Sequence, residues 1–130
     1  MKEILEYLKS CGTFYIATCD GDQPRVRPFG AVCEFEGKLY IITSNKKDVY
    51  KQITADPKVE ISGMKGGTWI RLSGELEEDT RREARVAMLE AYPELGNMYN
   101  VDDGVMTVFS FKSGKADICS FTDAPKSYTL

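Results

Sequence analysis

Short extended segments joined by tight turns are the feature of this sequence that most restricts its fold. In PRVRPFGAVCEFEGKLYIIT, β-branched and aromatic residues are frequent and the chain reverses at Glu36-Gly37, which is a hairpin signal. The same pattern predicts strands at residues 14–19, 24–34, 39–43, 58–62, 68–77, 105–111 and 116–121, with a turn at 112–115 between the last two. Strands in this number, mostly joined by tight turns, favour an antiparallel barrel over a doubly wound sheet.

Three helices are predicted beside the strands. Ile4, Leu5 and Leu8 form the apolar face of a short helix that stops at Gly12. The others are predicted at about residues 46–55, with Ser44 or Asn45 as the N-cap, and from a capping box of Thr80 and Glu83 to near Pro93. A chain of 130 residues has the size of one domain, so residues 1–130 are expected to form a single, mainly β unit with peripheral helices.

Four basic side chains are predicted to meet at one edge of this barrel. Arg25 and Arg27 lie on the first strand of the hairpin, and Lys46 and Lys47 lie in the predicted first turn of the next helix. Lysines at a helix N-terminus oppose the helix dipole unless an anion accompanies them, and arginine can add a bidentate contact to the same phosphate oxygens. The pattern therefore predicts an anion site, although the lysine pair taken alone is typical of a solvated surface.

The distribution of charge favours the same region. The net charge is −3, but residues 23–71 carry 9 Lys and Arg against 5 Asp and Glu, and the remaining residues carry 8 against 15. A basic patch can also face nucleic acid, but the chain is acidic overall and its lysines are not interleaved with aromatic residues in a recognisable motif. We therefore expect no nucleic-acid partner.

Two further observations indicate the compartment. No stretch approaches the length of a membrane span, and the start, MKEILEYLKS, is not a signal peptide, so we expect a cytoplasmic protein with no membrane partner. The four cysteines are widely spread without a CxxC pair, which favours buried free thiols over disulfides or a metal site. They are Cys11, Cys19, Cys33 and Cys119.

The chain contains no histidine. A Ser-His or Cys-His nucleophile pair and a histidine-ligated metal are therefore excluded. If the protein is an enzyme, its reactive atoms are expected to belong to a cofactor.

In order and spacing, several segments resemble the pyridoxamine 5'-phosphate oxidase-like family, the FMN-binding split barrels. They are FYIAT, PRVRPFG, TSNKK, DPKVEI and WIRLSGE, and the likeness covers residues 8–121. This resemblance implies an antiparallel split β-barrel and a homodimer that holds FMN between its two barrels.

The resemblance also implies roles for particular residues. Arg27 and Lys47, with Lys46 as the alternative register, match positions that bind the FMN phosphate, and Ser44 supplies a hydroxyl in the same turn. The remaining matches concern the flavin ring and its chain: Pro28, Phe29 and Gly30 along the ring edge, Thr43 at the end of the next strand, Trp69 near the ring or ribityl chain, and Phe111 from the second subunit. The alternatives are surface charge for the arginines and core packing for Trp69, Phe29 and Phe111.

Departures from the family restrict the reaction. The oxidase carries arginine and histidine near its C-terminus for its pyridoxal substrate, whereas this chain has no arginine after Arg85 and no histidine. Oxidation of vitamin B6 is therefore not expected. The closer resemblance is to a small branch near the nitroimidazole-resistance and general-stress flavoproteins.

Two functions remain open at this stage. The leading hypothesis is an FMN-dependent oxidoreductase that passes a hydride or electrons from a nicotinamide nucleotide, NAD(P)H, or another donor to a small acceptor. The alternative is a non-catalytic flavin-binding, storage or sensor module of the same fold. The loops at residues 64–68 and 92–103 are candidates for the acceptor pocket, but they contain no diagnostic chemistry.

Overall fold

Antiparallel strands account for 49% of the computed structural model, which describes all residues from 1 to 130. The strands are β1 (Phe14–Asp20), β2 (Gln23–Phe29), β3 (Val32–Phe35), β4 (Lys38–Ser44), β5 (Lys58–Lys65), β6 (Thr68–Asp79), β7 (Met106–Ser120) and β8 (Lys126–Thr129). The helices are α1 (Lys2–Cys11), α2 (Asp48–Ala55) and α3 (Arg82–Ala91), followed by a 3-10 helix at Pro93–Asn97. None of these helices is long and apolar enough to cross a membrane.

The strands form one sheet in the order β2-β1-β5-β6-β7-β4-β3, and β8 pairs with the second half of β7. The outermost strands, β2 and β3, are consecutive in the chain and are joined by Gly30 and Ala31 alone. The two ends of the sheet must therefore lie side by side without pairing to each other. This arrangement is a split barrel, so the predicted antiparallel barrel is confirmed.

The core divides into two clusters that share β4. The larger cluster fills the barrel and includes Ile41, while the smaller cluster lies under α3 and includes Ile42. Successive side chains of a strand point to opposite faces, so β4 is buried on both sides. The end of β4 is thereby held rigidly between the barrel and α3.

Two strand predictions were wrong. The segment predicted as one strand at 24–34 is divided at Gly30, where the chain passes from one edge of the sheet to the other. The turn predicted at 112–115 is absent, because β7 continues through Gly114 and pairs with β6 on both sides of it, from Val108 to Ser120. The pairing of β6 with β7 shifts its register between Glu75 and Leu76, and this shift allows β7 to continue without a turn.

The predicted helix starts were also wrong, whereas the predicted stop at Gly12 is confirmed. Lys47 is the N-cap residue of α2, and Lys46 precedes the helix. The reason is a tight turn after β4, in which the carbonyl oxygen of Ser44 accepts the Lys47 N–H and its hydroxyl oxygen accepts the Lys46 N–H. The capping box is likewise absent, because α3 begins at Arg82 without a side-chain cap.

The four cysteines are free thiols, but the prediction that they are buried was wrong for all except Cys33, because the others are partly exposed. Cys33 is buried beside α3, and burial raises the pKa of its thiol to about 11. This thiol is therefore protonated at neutral pH and is a poor nucleophile.

Candidate functional site

Two adjoining clefts meet where β2, the end of β4 and α2 come together. The first cleft, of about 980 Å³, lies between the β1–β2 hairpin and α2. The second cleft, of about 680 Å³, lies between the β2–β3 junction, the end of β4 and the segment 92–99. Arg27, Lys47 and Val49 line both clefts, so the two form one continuous groove.

Arg27 stands at the junction of the clefts and has no carboxylate partner. One guanidinium nitrogen, Nη1, donates to Thr18 Oγ1 at 2.8 Å and to the Ile16 carbonyl at 3.2 Å, and Nη2 donates to Gln52 Oε1 at 2.6 Å. Burial lowers the pKa of Arg27, and the charge of Arg25 lowers this pKa further. The guanidinium is thus a partly buried cation whose charge is not compensated by the protein.

The other predicted cations differ in their position. Arg25 forms an ion pair with Asp20 at 3.1 Å. Lys47 is exposed, forms no salt bridge and lines both clefts, whereas Lys46 lines neither. Because the first turn of α2 contains Asp48 rather than the lysines, the helix start is not overloaded with positive charge. Arg27 and Lys47 are the two cations that line both clefts, while Arg25 and Lys51 line only the first, together with the carboxylates of Asp20, Asp48 and Asp56.

Thr43 lines the second cleft and has a buried hydroxyl without a hydrogen-bond partner. The residue is 3% exposed, and its Oγ1 is one of two buried side-chain polar atoms in the chain without a hydrogen-bond partner, the other being Asn45 Oδ1. Such atoms are rare because burial removes their water at a cost of about 1–3 kcal/mol. Ser44, by contrast, uses its hydroxyl within the turn after β4.

The walls of the second cleft are mostly apolar. Pro28, Phe29 and Gly30 form one wall. A Cβ atom at Gly30 would meet only the Gly12 carbonyl oxygen, at an ordinary 3.7 Å, so the fold itself does not require glycine there. The opposite wall includes Tyr92, Leu95, Met98 and Tyr99 from the segment 92–99.

Two predicted site residues lie elsewhere. Trp69 lines neither cleft, since it pairs with Met64 and Cys119 on the outward face of the sheet and packs against Phe121 with 5.0 Å between ring centroids. The Phe111 ring is 3% exposed and belongs to the barrel core, so it does not face a second subunit. The loop at 64–68 also lies outside both clefts.

Sequence reasoning missed Thr18 and Gln52, which contact Arg27 directly. The signal for Thr18 was its position in the inward alternation Phe14, Ile16, Thr18, where a polar residue is unexpected. Gln52 gave no comparable signal, because its role depends on how α2 packs against β1.

The structure is thus an antiparallel split barrel with a groove at the β2–β3 junction that contains Arg27 and Lys47. The chain belongs to the pyridoxamine 5'-phosphate oxidase family, whose model matches residues 1–112. The family predicted from the sequence is thereby confirmed.

Among solved structures, the chain is similar to a NimC/NimA family protein from Clostridium acetobutylicum, with 57% identity and a TM-score of 0.96 over 100% of this chain and 93% of that one. Two others share the fold at low identity. An FMN-binding, pyridoxamine 5'-phosphate oxidase-related protein from Nostoc punctiforme is 14% identical, with a TM-score of 0.64 over 96% of this chain and 90% of that one. A heme-binding protein from Mycobacterium smegmatis is 16% identical, with a TM-score of 0.75 over 96% of this chain and 57% of that one. No curated protein sequence matched the chain.

Proposed function

We propose that this protein binds FMN as a homodimer and acts as an oxidoreductase that transfers a hydride or electrons to a small acceptor. The observation that carries the proposal is the uncompensated Arg27 at the junction of the two clefts. A partly buried cation without a counter-ion favours an anionic ligand, and a phosphate matches the geometry of a guanidinium. The FMN-binding relative with the same fold supports the choice of ligand.

The groove fits the parts of FMN. Arg27 and Lys47 would hold the phosphate where the two clefts meet. The Thr43 hydroxyl would gain the partner that it lacks in the chain alone. The flat ring system would occupy the second cleft, whose volume of about 680 Å³ is within the range of small-molecule sites.

FMN supplies the redox chemistry when bound, because its ring accepts and releases a hydride at N5. The protein positions the ring through the Pro28–Gly30 wall, where the missing side chain of Gly30 leaves room for close approach. The apolar residues Leu95 and Met98 would exclude water from the opposite side. Because the flavin ring would carry the transferred electrons, no redox-active side chain of the protein is required.

The homodimer would complete the groove. Met98, on the rim of the second cleft, is 72% exposed although it is apolar. A larger outward apolar face, defined here by Tyr15, Val26, Met64, Trp69 and Phe121, lies on strands β1, β2, β5 and β6 and just beyond β7. Exposed apolar surface of this kind is typical of protein interfaces. A second copy covering this surface would enclose the ligand between two barrels.

The binding proposal is tested by titrating FMN and measuring the quenching of its fluorescence. The double variant Arg27→Ala with Lys47→Ala is expected to bind FMN at least about tenfold more weakly, since two charge-assisted contacts together exceed about 1.4 kcal/mol. Lys38→Ala is the control, because Lys38 pairs with Glu77 away from both clefts. Wild-type protein that stays colourless after incubation with FMN would refute the proposal.

The oxidoreductase proposal is tested separately by steady-state oxidation of NAD(P)H with quinone, nitroaromatic or flavin acceptors. Turnover above that of free FMN is expected. FMN binding without such turnover, for every donor and acceptor tried, would favour the storage or sensor function instead.

A further inference from the structure

The groups that hold Arg27 in place are all electrically neutral. Gln52 Oε1 accepts hydrogen bonds from both Arg27 Nη2 and Thr18 Oγ1, each at 2.6 Å, and Thr18 Oγ1 in turn accepts one from Arg27 Nη1. Thr18 is 3% exposed, so its hydroxyl is committed to this network. We call Thr18 and Gln52 the neutral clamp.

The clamp contrasts with the surroundings of most arginines in the chain. Arg25, Arg71, Arg81 and Arg82 each form a salt bridge with an aspartate or a glutamate. Gln52 has the length and shape of a glutamate, and a glutamate at the same place would form an ion pair with Arg27. The amide therefore keeps the guanidinium in a fixed position without cancelling its charge.

The clamp also leaves the donors that a phosphate needs. A guanidinium has five N–H donors in a planar fork. Nη1 uses both of its donors on Thr18 and on the Ile16 carbonyl, and Nη2 uses one on Gln52. The Nε donor and the second Nη2 donor remain without a protein partner, and two donors are what a bidentate contact to phosphate oxygens requires.

We infer that Gln52 and Thr18 are positioning residues that make the groove selective for a phosphorylated flavin over its unphosphorylated form. They act through Arg27, fixing its orientation while reserving its charge and two of its donors for the phosphate. This inference rests on the proposed FMN-binding function of the groove.

The decisive variant is Gln52→Glu, which keeps the size of the side chain and adds a negative charge in contact with Arg27. Affinities for FMN and for riboflavin, which lacks the phosphate, are measured by fluorescence titration. We expect FMN affinity to fall at least about tenfold and riboflavin affinity to change by less than about twofold, because only FMN uses the charge of Arg27. The new ion pair should leave the melting temperature of the ligand-free protein unchanged or higher.

Two further variants distinguish an effect on the orientation of Arg27 from a general effect on the protein. Gln23→Glu adds the same charge on β2 at an exposed position, where Gln23 contacts only the Pro24 carbonyl, and it should leave the ratio of FMN to riboflavin affinity unchanged. Thr18→Val removes the hydroxyl that orients Nη1 and should weaken FMN binding without an equal loss for riboflavin.

The outcomes distinguish a failure of the proposed FMN-binding function from a failure of the neutral clamp. If wild-type protein binds neither flavin, the proposed function fails. If wild-type protein binds FMN and Gln52→Glu keeps the wild-type ratio of FMN to riboflavin affinity, the neutral clamp is refuted. An equal loss of both affinities together with a lower melting temperature would also refute it, since Gln52 would then serve only the fold.

Discussion

Thr43 and Thr107 face each other across β4 and β7, and they differ in one hydrogen bond. Both are almost fully buried, at 3% and 4% exposure. Thr107 Oγ1 donates to the Val105 carbonyl at 3.2 Å, whereas Thr43 Oγ1 has no partner. The Thr107 hydroxyl therefore stabilises the fold, whereas the Thr43 hydroxyl destabilises it, because only Thr43 buries an unsatisfied hydroxyl.

Replacing each threonine by valine tests this difference. Thr43→Val should raise the free energy of unfolding of the FMN-free protein by about 1 kcal/mol, because the unsatisfied hydroxyl is removed, and should weaken FMN binding severalfold. Thr107→Val should lower the free energy of unfolding by about 0.5–1.5 kcal/mol. Urea denaturation and FMN titration check both values. Equal destabilisation by the two substitutions would show that the Thr43 hydroxyl is satisfied in the free protein.

For single residues, the sequence indicated candidate site positions only where they belong to a local motif. The structure places Arg27 of β2 and Thr43 at the end of β4 in one groove. The sequence alone could not reveal Gln52. This residue lies 25 positions from Arg27 and contacts it only because α2 packs over β1. Trp69 lies outside both clefts, since the register of β5 and β6 turns it to the outward face.

Among the secondary-structure elements, β6 and β7 leave no room between them for a side chain at Gly74. A Cβ atom built there would clash with the Ser113 carbonyl oxygen and would lie 2.9 Å from the Phe111 ring. The glycine therefore allows the long ladder to remain paired where its register shifts. This contact also explains why the predicted turn at 112–115 is instead part of a continuous strand.

Gly74→Ala should accordingly destabilise the protein. We expect a loss of about 1–3 kcal/mol in the free energy of unfolding, because a backbone oxygen cannot move away as a flexible side chain can. Gly67→Ala is the matched control, since no atom lies within 4 Å of a Cβ there and its φ is not positive, and it should change stability by less than about 0.5 kcal/mol. Similar unfolding midpoints for the two variants would mean that β6 and β7 separate without cost.

Local patterns predicted most strands but not their boundaries. The residues Lys112 to Lys115 contain serine and glycine, which are typical of turns, and only the pairing with β6 keeps them extended. The break at Gly30 was hidden because the residues on both sides have strand character. In both places long-range pairing overrides the local preference.

For the whole molecule, the arrangement of the groove and the outward apolar face predicts a dimer. Tyr15 and Met64 lie on this face with 51% and 66% of their surfaces exposed, and Phe121 beside Trp69 is 89% exposed. Light scattering in the presence of FMN should give twice the 14.6 kDa mass of one chain. The mass of a single chain at every concentration tested would contradict a groove shared between two barrels.

Met64→Glu locates the interface on the outward apolar face. A charge placed in a buried apolar contact loses its hydration, so the dissociation constant of the dimer should rise at least about tenfold, corresponding to about 1.4 kcal/mol. Met64→Leu keeps the side chain apolar and should leave the dimer intact. Met64 lines neither cleft, so a monomer produced by Met64→Glu should retain Arg27 and its neutral clamp but bind FMN more weakly, because the partner no longer covers the second cleft. A Met64→Glu protein that remains dimeric would place the interface elsewhere on the barrel, and a monomer with wild-type FMN affinity would show that one chain completes the site alone.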